Sequence, residues 1–126
     1  MRTATLAEIA ARSAAGESFD YALADFLDGF YRKPAAVALA EEPALLAPDL
    51  GDPGRVRDAY LAAVAEELSR RFSLPLPAWT LRADRSLRRP WFALELASMR
   101  AALILESPPG FRSRNLFVSE DALSRA

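Results

Sequence analysis

The chain has no cysteine and no histidine among its 126 residues. Without cysteine there is no disulfide, no thiol nucleophile and no thiolate metal site. Without histidine the commonest general base and transition-metal ligand is missing. Ser-His-Asp triads, zincin motifs and zinc fingers are excluded on these two counts, and what stays open is carboxylate chemistry, with or without magnesium. Glycine is scarce, at five residues. Neither GxGxxG nor a Walker-type GxxxxGK run occurs, so no glycine-rich phosphate loop is expected. No stretch reaches about 18 consecutive apolar residues, so no membrane span is expected. The segment from Met1 to Ala15 has Glu8 inside a broken apolar pattern and lacks the continuous apolar core of a secretory signal. The expectation is a soluble, cytoplasmic chain with no bound metal or cofactor.

What is present points to helix. Alanine, the residue with the best helix propensity, occurs 26 times, and arginine outnumbers lysine fifteen to one. The arginine bias is read first as the mark of GC-rich coding and only then as selection for guanidinium contacts. The spacing predicts a first helix from Thr3 or Thr5 to Ala15, with Thr5 and Glu8 forming a capping box and Gly16 ending it. A second runs from Glu17 or Ser18 to Arg32, with Phe19, Leu23, Phe26, Leu27 and Phe30 on one face. A third starts at Pro34 and ends near Glu42. Pro43 to Gly54 reads as a packed connector with one helical turn. A fourth helix, with Asp52 as N-cap and Pro53 at its first position, extends to Phe72 on the repeat Val56, Tyr60, Val64, Leu68. From Ser73 to Pro90 the prolines force an extended path. A fifth helix starts at Pro90 or Ser98 and ends at Glu106. Phe111 to Arg114 is read as one turn, Leu116-Phe117-Val118 as strand-like, and Ala122 to Arg125 as a last turn. The expected fold is mainly α: one domain spanning residues 1–126, a compact bundle of about five helices. It has a Pro-rich extended segment and a short extended C-terminal tail.

Charge is asymmetric beneath a net value of −1. Residues 1–54 carry nine acidic and four basic groups, and residues 55–126 carry eight and twelve. The window 70–114 holds nine arginines against Asp84, Glu95 and Glu106. Such a region can meet phosphates, an acidic partner, the acidic half of its own chain or a second copy. Within it, Arg88-Arg89-Pro90-Trp91-Phe92 combines the two residue types that dominate interface hot spots, and a guanidinium on an indole is a cation–π contact. Alternatively, Trp91 and Phe92 are core anchors with the arginines in solvent. In Glu106 to Arg114, a Glu106 pair with Arg112 or Arg114 would tie a helix end to the tail. Asp25 and Asp28 can share a helix face, but no acidic spacing resembles a magnesium loop or a glycosidase pair. The first two helices have the spacing of a helix-turn-helix, yet Asp20, Asp25 and Asp28 on the second would repel phosphate.

Several segments together resemble a group of small bacterial proteins that have no established activity. They are Phe26-Leu27-Asp28-Gly29-Phe30-Tyr31, Asp58-Ala59-Tyr60-Leu61-Ala62, Leu76-Pro77-Ala78-Trp79, Arg89-Pro90-Trp91-Phe92, Glu106-Ser107-Pro108 and Phe111 to Val118. The resemblance implies a non-catalytic, antitoxin-like partner of a nucleotidyltransferase-like protein in a toxin–antitoxin arrangement. On that reading Arg88, Arg89, Trp91, Arg112 and Arg114 are the candidate partner contacts. Binding of nucleic acid through the arginines of 70–114 is the alternative, and a carboxylate-dependent enzyme is the remainder.

Overall fold

The computed structural model describes residues 4–94 and 96–125. Helix α1, Leu6–Ala14, starts where Thr5 Oγ1 accepts the Glu8 amide at 3.3 Å; the alternative start at Thr3 lies outside the described residues. Gly16, at φ +100°, makes the left-handed turn that ends it. Helix α2, Phe19–Arg32, is capped by Ser18, whose Oγ accepts from Tyr21 N at 3.2 Å. Leu6, Ile9 and Ala10 of α1 and all five expected apolar positions of α2 are buried. The helix expected from Pro34 to Glu42 contracts to one turn, α3, Val37–Ala40. Only Ala38 and Leu39 of it are buried, too little apolar face to hold more. In addition, Pro43 holds Glu42 out of the helical region. The connector contains its single turn, α4, Ala47–Leu50.

Helix α5, Asp52–Arg71, is the long axis of the fold. Asp52 is its first residue rather than its cap; Gly51, at φ +66° and ψ −139°, takes the cap position. The expected one-sided stripe is also exceeded. Leu61 through Ala65 are all fully buried, and so are Asp58, Glu67 and Ser69. A helix buried all round must be lined with small residues where neighbours come close, which explains the alanines at 59, 62, 63 and 65. Phe19 of α2 and Phe111 both meet the Tyr60 ring edge-on, at 5.8 and 4.9 Å.

The proline-rich stretch is extended but punctuated by two 3-10 turns, Ala78–Leu81 and Ala83–Arg85. Trp79, in the first of them, is buried and donates its indole N–H to Leu39 O at 3.0 Å. No helix begins at Pro90. Trp91–Phe92 forms strand β1, α6 spans Ala97–Glu106, α7 spans Pro109–Arg112, and Leu116–Phe117 forms β2. The strands pair in parallel, Trp91 with Leu116 and Phe92 with Phe117, so α6 and α7 serve as the crossover. Two aromatic residues straight after a proline suit an extended backbone, and the stacked Phe92 and Phe117 rings, 5.0 Å apart, hold the pair together. The last turn, residues 120–123, is not helical. It is fastened by Tyr31 Oη donating to Leu123 O at 2.7 Å and by Arg125 on Asp28 at 2.9 Å. Among the described residues no helix is long and apolar enough to cross a membrane.

Candidate functional site

The site starts from a buried ionic node. Arg85 is fully buried and Asp58 nearly so. Asp58 accepts the amides of Leu46 and Ala47 at 2.7 and 3.1 Å, which fixes the entry to α4 against α5. Arg85 donates to Pro43 O, to Asp58 O at 3.3 Å and to Glu42 at 3.1 Å, and its guanidinium lies 5.0 Å from the Trp79 ring centre. This is the Arg–Trp contact the sequence suggested, made by a different pair. Acceptors at both terminal nitrogens offset the burial of this guanidinium, although its Nε has none.

Beyond that node the chain passes along residues 86–91, and a second set of bonds holds this passage in place. Leu87 N donates to Arg114 O at 3.1 Å, Asn115 Nδ2 donates to Leu87 O at 2.7 Å, and Trp91 N donates to Asn115 O at 2.8 Å. Between this passage, the α4 turn and the first turns of α5 lies a cleft of about 1000 Å³. Arg55, Arg88, Arg89 and Trp91 line it, together with Asp52 and Asp84. A second hollow of about 510 Å³ lies on the other side of Trp91 and shares Asp52 and Val56 with the first; Phe19, Arg57 and Tyr60 complete it. Burial, with Asp20 nearby, raises the Tyr60 hydroxyl to about 12, so it stays protonated there.

The five expected contacts divide. Arg88, Arg89 and Trp91 come together on the cleft. Arg112 is exposed at the end of α7, outside the cleft lining. Arg114 is only 4% exposed, and its guanidinium donates to Glu66 at 2.8 Å, Gly110 O at 2.7 Å and Thr80 O at 2.9 Å. It supports the cleft wall from inside and is not a surface contact. The expected pairing of Glu106 with Arg112 or Arg114 is also replaced: Glu106 accepts Glu120 N at 3.3 Å, and Arg114 takes Glu66.

Pairing elsewhere sets the cleft apart. Of the arginines in 70–114, Arg70, Arg71, Arg82, Arg85 and Arg114 pair with carboxylates, and Arg100 lies 4.9 Å from the Phe92 ring centre. Asp25 and Asp28 are held by Arg12 and Arg125; the bond from Arg125 keeps Asp28 below the usual carboxylate range. Glu95, part of the same window, lies outside the described residues. Among the described residues the side chains of Arg88 and Arg89 make no ion pair or hydrogen bond, and neither does that of Arg55, a cleft residue the sequence did not single out. The half-buried Trp91 indole N–H is equally unengaged. Three guanidiniums and an indole donor around an apolar floor can receive carboxylates and a flat or aliphatic side chain together. Asp58 is committed to amides and Asp84 lies 3.6 Å from Arg82. No group of three or more acidic residues among the described ones is arranged to hold a metal ion.

Fold and cleft define a small, mainly helical domain with a cationic, aromatic-lined groove. Comparison with protein-family models, curated proteins and solved structures finds no match for this chain. The resemblance to small bacterial proteins therefore carries no residue role into the groove.

Proposed function

We propose that this protein is a non-catalytic interaction module, an antitoxin-like or regulatory partner whose groove seats an acidic segment of another protein. The observation that carries this reading is the set Arg55, Arg88 and Arg89, left without internal carboxylates around the unengaged Trp91 indole. Arg85 and Arg114, behind the cleft wall, are paired with Glu42 and Glu66, and the unpaired set favours an acidic occupant. Arginine and tryptophan are also the side chains that contribute most at protein interfaces. The count favours a protein over nucleic acid. Three free cations release few counterions, and affinity for a duplex built on so few contacts is weak. The resemblance supplies a candidate partner, a nucleotidyltransferase-like protein encoded by an adjacent gene.

The test is a titration of the purified adjacent-gene product against wild type, the double variant Arg88→Ala/Arg89→Ala, and Trp91→Ala. Loss of an anchoring arginine or tryptophan costs about 1–3 kcal/mol, or roughly 5- to 150-fold in Kd. A complex whose affinity ignores all three side chains sinks the reading. Tight binding of single-stranded nucleic acid that collapses with salt would replace it with the nucleic-acid reading.

A further inference from the structure

Strand β1 keeps one edge open. Trp91 N donates to Asn115 O at 2.8 Å and Ala93 N to Phe117 O at 2.9 Å, so the peptide groups of residues 91 and 93 face β2. Successive peptide groups of a strand turn to opposite sides, and those of Phe92 therefore face away from β2. Among the described residues no hydrogen bond engages the Phe92 N–H or C=O. Of the described elements, β2 is the one packed along β1. Pro90, Ala93 and Leu94, around the strand, are exposed. The far side of the sheet is closed by contrast: just past β2, Val118 N donates to Ser107 Oγ at 2.9 Å. The arginines without carboxylates gather at the open edge. Arg88 and Arg89 come immediately ahead of β1, Arg55 shares their cleft, and Arg100 lies 4.9 Å from the Phe92 ring centre. Arg100 is exposed and, among the described residues, makes no ion pair. Side chains alternate across a strand. Trp91 lines the cleft, and Phe92 points to the other face, beside Arg100. Unpaired guanidiniums thus flank β1 on both faces.

We infer that the acidic segment of the partner protein binds as an extended strand on the free edge of β1, as a third strand of the sheet, and that Arg100 receives one of its carboxylates on the face away from the cleft. The occupant's charge rests on the groove reading; the backbone pairing and the role of Arg100 go beyond it. Phe92 presents one donor and one acceptor on the same side, and an added strand returns one of each. Pro90 has no N–H to offer, so the pairing centres on Phe92. A helical occupant bonds its own amides and leaves that pair unmade. A nucleic acid has no peptide groups to add to the ladder. In the added strand, the residue beside Trp91 points to the cleft, where Arg88 and Arg89 stand. Its neighbour beside Phe92 points to the opposite face, where Arg100 stands. Acids at consecutive positions of the segment are then both paired, one on each face.

The experiment is an NMR titration of the isotopically labelled full chain with peptide to about 2 mM. The probes are the capped peptide Val-Glu-Glu-Val-Glu-Glu-Val and a twin whose internal amides are N-methylated. The twin keeps every side chain and loses the strand donors. The parent peptide should bind, and hydrogen exchange at the Phe92 amide should slow by about fivefold or more at saturation. The twin should bind about fivefold more weakly or worse. Arg100→Ala should weaken the parent peptide by roughly threefold or more with the circular dichroism unchanged. Arg112→Ala, which removes the same charge from the exposed end of α7, should leave it unchanged. Equal binding of the two peptides overturns the inference, as does a Phe92 amide that exchanges as in the free chain. If Arg88→Ala/Arg89→Ala still weakens both peptides in that case, the groove reading survives the loss. Equal effects of Arg100→Ala and Arg112→Ala would mean diffuse attraction and overturn the role of Arg100. Binding of neither peptide also overturns the inference, and the groove reading is then decided separately by the adjacent-gene product.

Discussion

Replacing Gly54 by alanine should destabilise the protein, although it lies in a helix where alanine is intrinsically better by about 1 kcal/mol. A Cβ at this position would stand 2.4 Å from Leu46 O, 2.5 Å from Leu46 C and 2.8 Å from Ala47 N. The first contact alone must open by at least 0.6 Å to reach the 3.0 Å limit of real Cβ contacts. The atoms in the way are main chain, so no rotamer change relieves them. They belong to the two residues whose amides Asp58 holds at 2.7 and 3.1 Å. Separating α4 from α5 therefore strains packing and stretches both amide–carboxylate bonds. Overpacking costs about 1–3 kcal/mol, and losing one hydrogen bond to a charged group costs about 1.5–3 kcal/mol. Against the propensity gain, the net loss is about 1.5–5 kcal/mol. At about 2.1 cal/mol/K per residue, a chain of this size should lose about 6–19 °C in Tm. The control is Gly29→Ala, in the interior of α2, where an added Cβ meets nothing within 4 Å. That variant should gain about 0.5–1 kcal/mol. Both are read by thermal and urea unfolding followed by circular dichroism. A Gly54→Ala protein as stable as wild type would refute the close approach of α4 to α5 and the role assigned to Asp58.

Asp58→Ala removes the carboxylate beside the buried Arg85 and frees two amides, so it should cost about 3–5 kcal/mol in urea unfolding. A loss below about 1 kcal/mol would mean the node is not held by charge. Tyr60, raised from 10.0 to about 12 by burial, stabilises the fold fully below its unfolded pKa. That stability, about 2–3 kcal/mol, is lost as pH rises from about 10 through 12. Tyrosinate absorbance should show Tyr60 ionising only near pH 12, and early ionisation of Tyr60 would show that its ring is solvated. Asp28 is lowered by its bond from Arg125. Its contribution is therefore present above the unfolded carboxyl pKa and is lost as pH falls through the folded value. Arg125→Ala should return the Asp28 carboxyl resonance to an ordinary titration, and an unchanged curve would deny the contact between tail and α2.

The helices were legible where local chemistry and burial agree. Thr5 and Ser18 cap α1 and α2 because a hydroxyl one step ahead of an apolar stripe has nothing better to bond than the first free amides. The third helix contracted because Pro34 marks a start and the residues behind it are mostly alanine, at 35, 36, 38 and 40. Alanine permits a helix without anchoring it, and Pro43 cut it short. The parallel pairing of Trp91-Phe92 with Leu116-Phe117 was legible only as propensity in each half. Pairing across a crossover is a tertiary event, and nothing local to Trp91 names Leu116 as its neighbour.

Of the partners open to the basic window, carboxylates of the same chain are what the fold supplies to five of its arginines. Nine arginines in 70–114 sum to a basic surface only if their counter-charges lie in the same window. Their carboxylates come largely from elsewhere: Glu42 for Arg82 and Arg85, Asp58 for Arg85, Glu66 for Arg70 and Arg114, and Glu67 for Arg71. Four of those acids lie on α5 or just ahead of α4, and the fold brings them against the arginine-bearing segments. Arg88 and Arg89 escape because Leu87 and Trp91, on either side, are bonded to residues 114 and 115. That holds the passage on the outer wall, with both guanidiniums turned from the buried carboxylates to the cleft. Net charge along a sequence is thus a poor guide to a binding face. Which arginines both line the cleft and lack a carboxylate after folding is the better one, and by that measure Arg55 joins the site while Arg112 and Arg114 leave it.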